Sequence, residues 1–153
     1  MEIIQASTKE HLETAAELFR EYQTQLNVDL CFQGFEQELA TLPGKYAEPT
    51  GSILLATHQG EYVGCVAVRP IDGDVCEMKR LYVRDQFRGL SAGRKLAEAI
   101  IQKARELGYK KMQLDTLQRL DRAISLYAKL GFVETTPYYD NPLNEVVYWE
   151  LEL

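Results

Sequence analysis

Residues 81–96, LYVRDQFRGLSAGRKL, decide the fold: a β-rich run ends, a short polar connection follows, and a Gly-containing turn opens a helix. Beyond them Leu96, Ala97, Ile100, Ile101, Ala104 and Leu107 recur on one helical face until Gly108 stops the helix, and residues 111–116 read as a strand. Strand, helix and strand in that order form a βαβ unit, so its two strands are expected to be parallel neighbours with a right-handed crossover. The start of such a helix leaves backbone N–H groups without intrahelical acceptors and carries partial positive charge. Arg88 and Arg94 add full charges, which makes the turn a candidate anion cradle.

Upstream, residues 2–6 read as a strand, and Ser7 with Glu10 three positions later is a capping-box signature. The helix it opens carries Leu12, Ala15, Ala16, Phe19, Tyr22 and Leu26 on its buried face. A shorter helix with Phe35, Leu39 and Leu42 is expected to end at Pro43-Gly44, leaving residues 45–51 as a loop. Residues 52–58 and 61–69 read as strands joined at Gln59-Gly60 in a tight hairpin, and Asp72-Gly73 marks a second hairpin into a strand over 75–84. Downstream, Leu120, Ala123, Ile124, Tyr127 and Leu130 define a helix closed by Gly131, and residues 132–135 and 146–153 read as strands around the turn-rich PYYDNPLN. The expected class is α/β (α+β), a mixed sheet of about six or seven strands with helices on both faces.

The 153 residues fit one domain, 1–153, able to bury a core without disulfides or metals. With 46% hydrophobic and 26% charged residues the chain has the composition of a folded globular protein. No apolar run approaches the roughly 20 residues of a membrane helix. The start MEIIQASTKE lacks the basic-then-apolar order of a signal peptide, so a cytoplasmic location is expected. Cys31, Cys65 and Cys76 are odd in number without C-x-x-C spacing and read as reduced thiols; His11 and His58 lie far apart, and no metal is expected. The net charge of −6 disfavours nucleic acid, whereas the basic residues between Lys79 and Arg94 suit a small polyanion.

Gly89-Leu90-Ser91-Ala92-Gly93 spells the G-x-S-x-G of a hydrolase nucleophile elbow. That fold places the serine directly after its strand with a histidine later in the chain; here residues 84–88 intervene and both histidines precede Ser91. Neither a Walker loop nor a G-x-G-x-x-G fingerprint is present.

Three segments together, EMKRLYV at 77–83, RGLSAG at 88–93 and LYAKLGF at 126–132, resemble the GCN5-related N-acetyltransferase (GNAT) family in order and spacing, and the surrounding elements cover essentially the whole chain. The resemblance implies acetyl-CoA as cosubstrate and no metal, with the pyrophosphate on Arg88, Gly89, Leu90, Ser91, Ala92, Gly93 and Arg94. It further implies that Leu81, Tyr82 and Val83 pair with the pantetheine and that an N–H there polarises the thioester carbonyl. Tyr127 matches the general acid that protonates the departing thiolate, although an aromatic at that helical spacing is most often core. Glu77 lies where some members keep a general base; the bland alternative pairs it with Lys79 or Arg80.

Two residues depart from the family pattern: Ser91 stands where R/Q-x-x-G-x-G/A has Gly, and Leu120 where many members have a cofactor-contacting Asn. No histidine-based activation is visible for an acetyl-cysteine route through Cys76 or Cys65, which favours direct attack in a ternary complex. By family analogy the acceptor is framed by the first two helices, from Tyr22 to Phe35, and by Tyr138, Tyr139 and Asn141. The implied function is acetyl transfer to a primary amine of a small molecule or peptide; a CoA-binding regulatory module without turnover is the alternative. The partners expected are the amine acceptor, with no nucleic acid and no membrane, and the family is compatible with a homodimer.

Overall fold

The computed structural model describes residues 1–27, 34–143 and 145–153, so Cys31 and part of the segment between Tyr22 and Phe35 lie outside the described residues. Seven strands form one sheet: β1 (Glu2–Gln5), β2 (Ser52–His58), β3 (Glu61–Asp72), β4 (Val75–Val83), β5 (Lys111–Leu117), β6 (Val133–Thr135) and β7 (Val146–Glu152). Their spatial order is β1-β2-β3-β4-β5-β7-β6, and only β4 with β5 is parallel. Four α-helices, α1 (Lys9–Leu26), α2 (Phe35–Ala40), α3 (Ala92–Glu106) and α4 (Asp121–Lys129), and two 3-10 turns, Gly44–Tyr46 and Asp85–Leu90, complete the described elements.

The helices divide between the two faces because the strands alternate. Leu54, Val66, Val68, Met78, Met112 and Leu114 pack with α3 and Tyr127 of α4, whereas Ile53, Leu55, Cys65 and Ala67 pack with Ala15, Leu18 and Phe19 of α1 and with Phe35 of α2. Gln59 and Gly60 both take positive φ (51° and 81°), the geometry that suits a two-residue hairpin. The second hairpin turns one residue later than expected, on Gly73 and Asp74, with Asp72 already paired to Val75.

Two expectations are corrected at the helices. The N-cap of α1 is Thr8, not Ser7: its hydroxyl accepts from the His11 N–H (3.1 Å), and His11 Nδ1, rather than a Glu10 carboxylate, accepts from the Thr8 N–H (3.4 Å). Glu10 still lies in the first turn, where its charge complements the helix dipole. Helix α2 stops at Ala40, and Gly44–Tyr46 form a 3-10 turn that buries Tyr46 where a plain loop was expected.

The arrangement that positions the site lies between β4 and β5. Their pairing runs only through Val75–Lys111, Cys76–Met112 and Glu77–Gln113, after which the strands part although β4 continues to Val83 and β5 to Leu117. Just past the parting β4 carries a bulge: Lys79 pairs with Ala67 and Tyr82 with Cys65, so two residues of β4 oppose one of β3. Within it Arg80 takes φ +61°, a left-handed conformation costing a non-glycine residue about 1–2 kcal/mol.

Side chains hold that conformation in place. The Arg80 guanidinium forks onto Glu38 of α2 through two 3.0 Å hydrogen bonds and lies 5.2 Å from the Phe35 ring centroid. Tyr46 donates to the same carboxylate at 3.0 Å, and Cys65 donates its thiol hydrogen to the Arg80 carbonyl at 3.2 Å. Arg80 is 4% exposed, so Glu38→Ala, which removes the carboxylate beneath a buried guanidinium, is expected to cost about 3 kcal/mol. Urea unfolding measures it; a loss below about 0.5 kcal/mol would show that the pair does not anchor the bulge.

Candidate active site

Past the parting a groove opens, with a cavity of about 570 Å³. Leu81, Tyr82 and Val83 of β4 form one wall, Arg88, Ser91, Gly93 and Arg94 another, and Arg119, Leu120, Asp121 and Arg122 a third. Residues Asp85–Leu90 form a 3-10 turn that delivers the chain to α3, whose first intrahelical bond is Lys95 N–H to the Ser91 carbonyl (3.1 Å). The N–H groups of Ala92, Gly93 and Arg94 therefore have no acceptor within the helix.

The residue types of this turn match an anion. Neither Gly89 nor Gly93 has positive φ, and a Cβ added to either would touch no protein atom closer than the Val83 methyl 3.9 Å from Gly93. Glycine there serves neither backbone conformation nor packing within the chain; it leaves the backbone open to a ligand. Four arginines line the groove of a chain whose net charge is −6. They stand at the N-terminal ends of α3 and α4, where their charge opposes the helix dipole and an anion relieves both. The groove thus fits the phosphates of a CoA-type ligand. Gln25 of α1 donates to Asp85 (2.9 Å), Arg119 donates to the Leu26 carbonyl, and the two contacts tie the end of α1 to both sides of the groove.

At its inner end the groove meets a chamber of about 40 Å³, and Tyr22, Leu26, Leu81 and Leu120 line both. The chamber passes between the parted strands: Met78 to Leu81 stand on one side and Leu114 to Leu117 on the other, with Tyr127 and Lys79 also in its lining. Tyr127 is 7% exposed and packs on Phe132, ring centroids 5.7 Å apart. Burial, with smaller contributions from Tyr22 and Asp115, pushes its phenol well above the ordinary tyrosine range, so it stays protonated.

The face opposite α3 holds a buried polar cluster. Glu77, 1% exposed, accepts from Arg69 Nε at 2.8 Å and from the Tyr138 hydroxyl at 2.5 Å. Its ionic partners are Arg69 and, at 4.0 Å, Lys79; Arg80 turns instead to Glu38. Asp115 accepts from the Tyr139 hydroxyl at 2.6 Å and lies 3.8 Å from Lys79 Nζ. Burial lowers the Lys79 pKa, while Glu77 and Asp115 act to raise it. Tyr138, Tyr139 and Tyr148 pack on one another at 5.3–5.9 Å, so the loop tyrosines fold down as hydrogen-bond donors to the two carboxylates.

Comparison with known proteins fits this geometry. The Acetyltransferase (GNAT) family profile matches residues 12–132. The chain belongs to the GNAT family. As a GNAT enzyme it is an acyltransferase, and it is similar to an uncharacterized N-acetyltransferase of Schizosaccharomyces pombe, 48% identical over 89% of this chain and 85% of the relative. An acetyltransferase structure from Streptococcus agalactiae shares the fold, with a TM-score of 0.82 and 21% identity over 99% of this chain and 98% of that one. A GNAT acetyltransferase of Elizabethkingia anophelis, crystallised with acetyl-CoA bound, matches with a TM-score of 0.59 and 26% identity over 68% of this chain and 77% of that one.

In this GNAT chain the residues singled out from sequence fall into three places, except Gly89, Leu90 and Ala92, which line neither groove nor chamber. Leu81, Tyr82, Val83, Arg88, Ser91, Gly93 and Arg94 meet in the groove, Tyr127 in the chamber, and Glu77 in the polar cluster. The sequence reading missed Asp115, Arg119, Arg122 and the Arg80 bulge; for Asp115 the available signal was a carboxylate inside an otherwise apolar strand, KMQLDTL. Among the described residues no helix is long and apolar enough to cross a membrane, and no group of three or more His, Cys, Asp or Glu side chains stands together as a metal site. Ser91 explains its own oddity: it is the N-cap of α3 at φ +58°, ψ +27°, the conformation that favours glycine. Ser91→Gly is expected to stabilise the chain by up to about 1 kcal/mol, since relief of the left-handed strain outweighs the added freedom of the unfolded chain. Thermal melting of the two proteins measures the difference.

Proposed function

We propose that this GNAT enzyme binds acetyl-CoA along the groove and transfers the acetyl group to a primary amine of a small molecule or peptide, by direct attack while both are bound. The observation that carries this reading is the continuity of the groove with the Tyr127 chamber. The acetyl-CoA found in the Elizabethkingia relative supports the choice of cosubstrate. When bound, acetyl-CoA supplies an activated thioester; the chain's residues bind it, orient it and move protons.

Arg88, Arg94 and the free N–H groups of Ala92 and Gly93 hold the pyrophosphate. The edge of β4 that no longer pairs with β5, at Leu81, Tyr82 and Val83, meets the pantetheine and offers an N–H to the thioester oxygen. Tyr127 gives its proton to the departing sulfur. Phenol and thiol stay matched in such a site because desolvation disfavours both anions. The acceptor's ammonium must lose a proton before its nitrogen can attack, and a carboxylate of the polar cluster that holds Glu77 and Asp115 takes it, directly or through water.

Acetyl-CoA at one hundred times its Kd is expected to stabilise the protein by about 2.7 kcal/mol, seen as a rise in Tm that Arg88→Ala largely removes. No shift at saturating ligand would sink the reading. A panel of primary amines scored by thiol release then identifies the acceptor. With an amine from that panel, Tyr127→Phe is expected to lower turnover by about 100-fold or more while leaving the acetyl-CoA thermal shift intact; unchanged turnover would remove the acid role.

A further inference from the structure

A second carboxylate, unlike Glu77, lines the chamber that holds Tyr127. Among the described residues lining the chamber, Asp115 is the one acid, and it shares that lining with Tyr127. It lies two positions past Gln113, the last β5 residue paired with β4, in the part of β5 that has left its neighbour. Glu77 is absent from the linings of both chamber and groove.

The hydrogen bonding of the two carboxylates differs in the same sense. Each Glu77 oxygen already accepts a short bond, Oε1 from Arg69 and Oε2 from Tyr138. Asp115 Oδ2 accepts from Tyr139 at 2.6 Å and from Asn141 Nδ2 at 3.4 Å, and Asn141 donates in turn to the Tyr139 hydroxyl at 2.7 Å. Those bonds orient the carboxylate through one oxygen. Around Oδ1 the recorded contact is ionic, with Lys79 Nζ 3.8 Å away, beyond hydrogen-bond reach. An ionised carboxylate accepts about four hydrogen bonds in all, so Oδ1 keeps capacity for a donor arriving in the chamber.

We propose that Asp115 is the catalytic carboxylate that docks the acceptor's ammonium and takes its first proton, while Glu77 serves to anchor the loop through Tyr138. This deepens the acetyltransferase reading and rests on it. It also names the acceptor form: the enzyme takes an alkylammonium, not only the scarce neutral amine. The protons balance as follows. R–NH3+ gives one proton to Asp115 Oδ1, which passes it to solvent; the N–C bond forms as the C–S bond breaks; the Tyr127 hydroxyl proton goes to sulfur; and the nitrogen's second proton restores Tyr127. The sum is R–NH3+ plus acetyl thioester giving amide, thiol and one released proton. The charge of Asp115 also helps to keep Tyr127 protonated between turnovers.

The test uses two small probe amines at neutral pH with saturating acetyl-CoA: ethylamine, which is an ammonium there, and 2,2,2-trifluoroethylamine, which is largely neutral. Asp115→Asn, whose amide oxygen still accepts from Tyr139, is expected to lower thiol release with ethylamine by about 100-fold and with trifluoroethylamine by less than about tenfold. The acetyl-CoA thermal shift should be retained, and formate should restore ethylamine turnover in Asp115→Ala. Glu77→Gln should change both amines by one common factor. Equal losses for both amines in Asp115→Asn, or an ethylamine-selective loss in Glu77→Gln, would overturn the assignment, as would wild-type inactivity toward both amines. In that last case a persisting thermal shift leaves the acetyl-CoA reading standing, and a missing shift removes it too.

Discussion

The parting of β4 from β5 is the constraint on which the site depends. Two parallel strands that stayed paired to their ends would satisfy each other's backbone and close the sheet; here pairing stops at Glu77–Gln113 and both strands run on. The consequence is threefold: a backbone edge left for a ligand, a gap through the sheet that joins its two faces, and a place in that gap for Tyr127. The bulge at Arg80 accompanies the parting, and its left-handed backbone is not self-sustaining. It persists because Glu38, Phe35 and Cys65 each engage Arg80, two of them from α2.

Charge is organised around the same gap. An acidic chain concentrates arginines at two helix starts on one side of the sheet, where a polyanion is expected, and buries pairs of opposite charge on the other. Buried ions are costly unless paired and hydrogen-bonded, and the tyrosine loop completes that pairing for Glu77 and Asp115. The loop therefore does more than wall a pocket: it sets which carboxylate oxygen is occupied by a tyrosine.

Much of this was legible from the chain. The βαβ unit at residues 75–117 could be read because hydrophobic period and glycine stops are local signals, and the candidate cradle because a helix start with arginines favours an anion. The oddness of Ser91 was legible too, though not its cause, since φ is not written in a residue name. Other features escaped for stated reasons. Ser7 and Thr8 are both good caps, and a one-residue choice between them depends on how His11 folds back. Tyr138 and Tyr139 read as pocket walls because aromatics in a loop give no sign of the carboxylates they will meet.

By itself the sequence determined the order and type of the elements and a candidate anion cradle, which are properties of local pattern, and through the GNAT resemblance it implied Tyr127 as the acid to consider. Only the tertiary structure decided where β4 leaves β5, that Arg80 strains there against Glu38, and that Asp115 rather than Glu77 lines the chamber. The physical reason is separation along the chain. Residues 38, 80, 115 and 139 are brought together by sheet pairing and helix packing, and no local periodicity carries the distances between them.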